Sequence, residues 1–90
     1  MERVAAARLA VEASVAIECL LGTELGRRVA PRLENHRLVA PERIDAEVLA
    51  ALRRALLRGV VSERRAAAAL SDLEASPLVR ISHRPRLPDA

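Results

Sequence analysis

Leu38-Val39-Ala40-Pro41-Glu42-Arg43-Ile44-Asp45-Ala46-Glu47-Val48-Leu49-Ala50-Ala51-Leu52-Arg53-Arg54-Ala55-Leu56-Leu57-Arg58-Gly59 is the stretch whose reading decides the fold. Leu38-Val39-Ala40 reads as a buried strand, and Pro41 ends it by withholding a ladder donor. Val48, Ala51, Leu52, Ala55 and Leu56 then recur at the spacing of one helix face, with Arg53, Arg54 and Arg58 off it. Asp45 suits a helix N-cap and Gly59 a helix stop. Glu47 therefore sits in the first helical turn, just past a strand. In open sheets flanked by helices, ligands collect outside the carboxyl ends of the strands. A carboxylate there is either an ordinary partner of the helix dipole or half of a site.

Outward from that stretch, the chain reads as alternating elements. Met1 to Leu21 allows two readings. Its alanines favour one long helix by intrinsic propensity. The alternative is a strand, Arg8-Leu9-Ala10-Val11, ending at Glu12, followed by a helix capped by Ser14 that runs to Leu21. Gly22 then stops that helix and Thr23 caps the next. Thr23 to Asn35 is helical in pattern, with Leu25, Val29 and Leu33 in register and Pro31 expected to kink or split it. His36 reads as a solvent-facing turn residue before the strand.

Beyond Gly59, Ser62 is the N-cap of a further helix with Glu63 in its first turn. Ala66 to Leu70 and Leu73 carry its apolar face, and Arg64 and Arg65 are expected in solvent. Ser76-Pro77 ends it, because a residue before proline avoids the helical region. Leu78-Val79-Arg80-Ile81 reads as a strand, and the tail from Ser82, with its lone structural His83, holds no further element. The order strand, helix, helix, strand, helix, helix, strand is an α/β pattern with a parallel sheet. Three strands and four helices make an incomplete member of that class.

Composition bounds the function. Ninety residues make a single domain, and no Phe, Trp or Tyr is available to fill its core. The core is expected to be thin and completed by a partner. Cys19 has no second cysteine to pair with, which fits a reducing compartment. The formal charge is +3, yet the pI is about 10.9. Every basic side chain is Arg, so little titrates between the thiol and guanidinium ranges. The high pI is thus weak evidence for nucleic-acid binding, although Arg suits bidentate phosphate contacts. Glu12 and Glu18 interrupt the early apolar stretch and argue against a secretory leader. No stretch approaches a membrane span. A soluble cytoplasmic protein without a membrane role is expected.

Two segments resemble a known family. Leu9-Ala10-Val11-Glu12-Ala13-Ser14-Val15-Ala16 resembles the opening of PIN-domain proteins of the VapC toxin type, in which a strand ends in Asp-Ala-Ser before a helix. Ala40-Pro41-Glu42-Arg43-Ile44-Asp45-Ala46-Glu47-Val48-Leu49-Ala50-Ala51-Leu52-Arg53-Arg54 is similar to their second acidic motif. The continuation from Gly59 through Ser62-Glu63-Arg64, and Pro77-Leu78 through His83-Arg84-Pro85, also resembles bacterial members. The likeness implies a PIN-like α/β domain over residues 1–90 that lacks the family's C-terminal part. It implies the toxin of a type II toxin–antitoxin system, a Mg2+- or Mn2+-dependent endoribonuclease with RNA as substrate. A cognate antitoxin is the implied partner, in a toxin–antitoxin complex or with a homodimer.

Carried over by position, Glu12 stands at the family's first metal-binding Asp, Glu47 at its Glu, and Ser14 is the small hydroxyl residue beside the first acid. Glu12 and Glu47 are thus the implied catalytic and metal-binding residues. Mg2+ takes hard oxygen ligands and keeps several waters, so a few carboxylates suffice. Glu12 departs from the pattern: its extra methylene displaces the carboxylate by roughly an ångström, and misplacements of that order cost about a hundredfold in rate. The family's later acids are not in this sequence. Two other readings stand beside the ribonuclease: a non-catalytic remnant that binds an antitoxin, and a small Arg-rich nucleic-acid binder. The latter lacks aromatic residues for base stacking.

Overall fold

The structure is a computed structural model, and it describes residues 7–82. The expected pattern is present: β1 Arg8–Ala10, α1 Ala13–Leu21, α2 Glu24–Leu33, β2 Arg37–Pro41, α3 Ile44–Leu57, α4 Glu63–Ala75 and β3 Val79–Ile81. The strands form one parallel sheet in the order β1-β2-β3. Arg8 lies opposite Arg37 and Ala10 opposite Val39, while Val39 faces Val79 and Pro41 faces Ile81. The protein is α/β with three strands and four helices among the described residues, and the strand-then-helix reading of the first segment is the right one. His83 and the tail after it lie outside the described residues.

α1, α3 and α4 cover one face of the sheet, and α2 packs on α1. Ile44, Val48 and Leu52 form the buried stripe of α3, with Val48 fully enclosed. Ala66, Ala69 and Leu73 supply the facing stripe of α4, and Ala16, Ala40, Val11 and Leu78 close the core. With alanines in place of aromatics, the elements meet at close range. A Cβ on Gly26 would lie 2.0 Å from the backbone oxygen of Glu18, so α2 docks on α1 only because that position has no side chain. The other sheet face carries Ala10, Val39, Pro41, Val79 and Ile81 together with Arg8 and Arg37, and Val79 is 53% and Ile81 47% exposed.

Several boundaries differ from expectation. Glu12, not Ser14, is the N-cap of α1: its backbone is extended and its carbonyl accepts from the Ala16 N–H at 3.0 Å. The turn comes this early because the preceding residue, Val11, is pinned to β2 through its N–H to the Val39 carbonyl at 2.8 Å. Asp45 does not cap α3 either. The helix starts at Ile44 after Arg43, which puts Ile44 into the core, and the Asp45 carboxylate turns to Arg80 instead. Pro31 does not split α2, which is continuous to Leu33. Only the bond its absent N–H would have made to the Arg27 carbonyl is forfeited, near the helix end.

Pro41 belongs to β2 as its last residue, and the next donor along the ladder is the Glu42 N–H, to the Ile81 carbonyl at 3.0 Å. His36 is half-buried rather than solvent-facing, and its Nδ1 is sealed without a hydrogen-bond partner among the described residues. Arg65 is exposed but tethered, donating to the Leu21 carbonyl at 2.6 Å. The other punctuation is as read: Thr23 accepts from the Gly26 N–H, Ser62 accepts from the Arg65 N–H, and Gly22 and Gly59 adopt left-handed backbone at the ends of α1 and α3.

Candidate active site

β1 and β2 are adjacent and parallel, so their carboxyl ends open on the same edge of the sheet. α1 and α3 begin there, and each brings one of the two acids picked out from the sequence. Glu12 follows β1 as the N-cap of α1, and Glu47 stands in the first turn of α3 after β2. Both line one open cavity of about 460 Å³, together with Ser14, Pro41, Arg43 and Ile44. Glu12, Glu47 and Ser14 are therefore brought together. The N-terminal ends of two helices meet at this cavity, and their unsatisfied N–H groups favour anions and phosphate.

The electrostatics are mixed. Arg43 Nε donates to Glu47 Oε1 at 3.0 Å, with the two side chains 69% and 50% exposed. An exposed pair one helical turn apart contributes only about 0.3–0.5 kcal/mol. It holds the carboxylate over the cavity without committing it. Glu12 has no ion-pair partner among the described residues.

A second open cavity of about 400 Å³ continues from the first. It shares Ala13, Ser14 and Glu47 with its neighbour and extends over Ile17, Ala50 and Ala51 to Arg54. Together they form a trough between α1 and α3, floored by small side chains. The sequence reading set Arg54 off the apolar face of the helix, and gave neither Arg43 nor Arg54, at the two ends of the trough, a place at the site. The signal was available: residues 43, 47 and 54 fall at i, i+4 and i+11, which places them along one helix face.

Carboxylate oxygens are the hard donors that Mg2+ or Mn2+ takes, and the Ser14 hydroxyl beside them is a further oxygen. The kind of ligand fits such an ion, while the number is small. No group of three or more His, Cys, Asp or Glu side chains able to hold a metal occurs among the described residues. Nor is any helix there long and apolar enough to cross a membrane.

No family model matches the chain, and no solved structure matches it. Among curated proteins it is similar to Ribonuclease VapC12 of Mycobacterium tuberculosis, strain CDC 1551 / Oshkosh, at 38% identity over 55 residues. The same relation holds to Ribonuclease VapC12 of strain ATCC 25618 / H37Rv. The matched segment is 61% of this chain and 43% of the relatives, so the likeness spans less than half of their length. Over that matched segment the resemblance to VapC-type ribonucleases is borne out.

Proposed function

We propose that the chain is a ribonuclease of the VapC toxin type, acting on RNA as a metal-dependent endonuclease in the cytoplasm and held by a cognate antitoxin. The observation that carries this reading is the convergence of Glu12 and Glu47 on one cavity at the carboxyl ends of β1 and β2, in a chain similar to proteins named as ribonucleases. In this reading Glu12 and Glu47 hold the ion, with Ser14 beside them. An ion bound there would activate water and neutralise charge on the scissile phosphate. The helix N-termini turn N–H groups toward the same phosphate. Arg43, displaced from Glu47 when that carboxylate takes a cation, is placed to face the RNA backbone.

The bare sheet face carries an apolar patch of Val39, Pro41, Val79 and Ile81 with Arg8 and Arg37 beside it, and exposed apolar patches mark association surfaces. It supports assembly with another protein or a second copy of the chain. A second reading, an antitoxin-binding form that does not cut, is favoured by the presence of only two acids at the cavity among the described residues. The test for both is a gel assay on structured and single-stranded RNA with Mg2+ or Mn2+. Slow cleavage that disappears in Glu47→Gln is expected. Cleavage unchanged in that variant sinks the assignment of Glu47, and no cleavage with either metal leaves the antitoxin-binding form.

A further inference from the structure

The trough between α1 and α3 has a charge order that a metal pair alone does not require. Arg43 is at one end, Glu12 and Glu47 are in the middle, and Arg54 is at the other end. Arg54 stands seven residues after Glu47, about 10 Å further along the helix axis. Between them lie Ala50 and Ala51, which leave the path open. Arg54 is exposed and makes no ion pair among the described residues, so nothing within them explains its place over the trough. Its neighbour Arg53 is exposed as well but lines a different cavity, with Leu56, Leu57, Val61 and Glu63. Two adjacent arginines thus serve two different surfaces.

We propose that Arg54 is a substrate-positioning residue that grips an RNA phosphate flanking the one at the Glu12–Glu47 pair, and that the RNA strand runs along the α1–α3 trough. The proposal rests on the ribonuclease reading above. The chemistry is that of a strand carrying a charge at every link. The central carboxylates repel it unless a cation covers them, so the flanking guanidiniums must supply the attraction that sets its register. Arginine is suited to this because its planar fork meets two phosphate oxygens at once. Arg54 touches no reacting atom, and it acts by placing the strand.

The test measures binding apart from cleavage. A short fluorescein-labelled single-stranded RNA is titrated by anisotropy in EDTA against the full chain carrying Glu47→Gln, which removes one central negative charge and leaves the RNA intact. Arg54→Gln in that background is expected to weaken binding roughly three- to tenfold and to lower the slope of log affinity against log salt by about 0.7. Arg53→Gln is expected to leave both near their starting values. Both side chains are exposed, and circular dichroism checks that the variants fold alike. Equal affinity and slope with and without Arg54, or equal losses from Arg53 and Arg54, overturns the proposal and leaves the ribonuclease reading standing. No RNA binding by the Glu47→Gln chain overturns both.

Discussion

Arg80 of β3 donates from both Nε and Nη2 to the carboxylate of Asp45 at the start of α3, at 3.2 and 2.9 Å. The same guanidinium reaches the carbonyls of Leu73 and Leu78, each at 3.0 Å. One side chain therefore ties together α3, the last turn of α4 and β3, and holds the third strand where it pairs with β2. Arg80 is the more enclosed partner, at 26% exposure against 49% for Asp45. Asp45→Asn is expected to cost about 1 kcal/mol after allowance for screening. In a domain of this size that lowers Tm by roughly 4–8 °C. An unchanged Tm by calorimetry would show that the fork is dispensable.

Gly26→Ala should be more damaging than its size suggests. The added carbon would meet the Glu18 oxygen and carbon and the Cys19 nitrogen at 2.0, 2.4 and 2.8 Å, all of them backbone atoms that no rotamer change can move. Overpacking of this kind costs about 1–3 kcal/mol or more. Gly59→Ala meets nothing within 4 Å, and its cost comes from a φ of 72° alone, about 1 kcal/mol. Denaturant unfolding of the two variants is expected to rank Gly26→Ala well below Gly59→Ala.

The Cys19 thiol has its pKa raised, first by burial and second by the neighbouring Glu18 carboxylate. The sign follows from the folded state favouring the protonated form. At neutral pH the thiol is protonated folded or unfolded, so stability does not depend on it. As pH rises through the ordinary thiol value, the unfolded chain loses its proton first and stability falls. Alkylation by iodoacetamide is expected to be slower for the native chain than for the urea-unfolded one, with its pH midpoint displaced upward. Equal midpoints would contradict the raised value.

On the proposed function, Glu12 and Glu47 hold a divalent ion at their shared cavity. Calorimetric titration with Mn2+ is expected to show weak binding that Glu47→Gln reduces and that a Glu12→Gln, Glu47→Gln double variant abolishes. Arg43→Gln removes the internal competitor for Glu47 and should strengthen binding by roughly twofold, the worth of an exposed pair. Identical titrations for the chain and the double variant would remove the two acids as ligands.

The face carrying Val39, Val79 and Ile81 predicts concentration-dependent association of the isolated chain. Val79→Thr with Ile81→Thr is expected to shift light scattering toward monomer while the fold, judged by circular dichroism, is retained. A monodisperse monomer of the unaltered chain at high concentration would show that this face does not associate.

Local chemistry was legible in the linear sequence. Gly22, Thr23, Gly59 and Ser62 act through their own backbone and a neighbour three or four residues away, so their roles as stops and caps could be read directly. From Thr23 onward the α/β order was legible for the same reason, because apolar spacing reports an element's own period. Met1 to Leu21 left one long helix open beside the strand-then-helix reading, and the sheet decided between them. Glu47 could be placed in a first helical turn beyond a strand without knowing what surrounds it. Tertiary structure decided the rest. Asp45 would cap a helix in isolation, but Ile44 is worth more in the core, and Arg80, 35 residues away, supplies the carboxylate's partner. Ser14 gave up its cap to Glu12 because Val11 is anchored across the sheet to Val39. The meeting of Glu12 with Glu47, and the division of Arg53 and Arg54 between two surfaces, depend on parallel pairing of β1 with β2 and on where α1 lies against α3. Those are contacts between distant segments, and no local period encodes them.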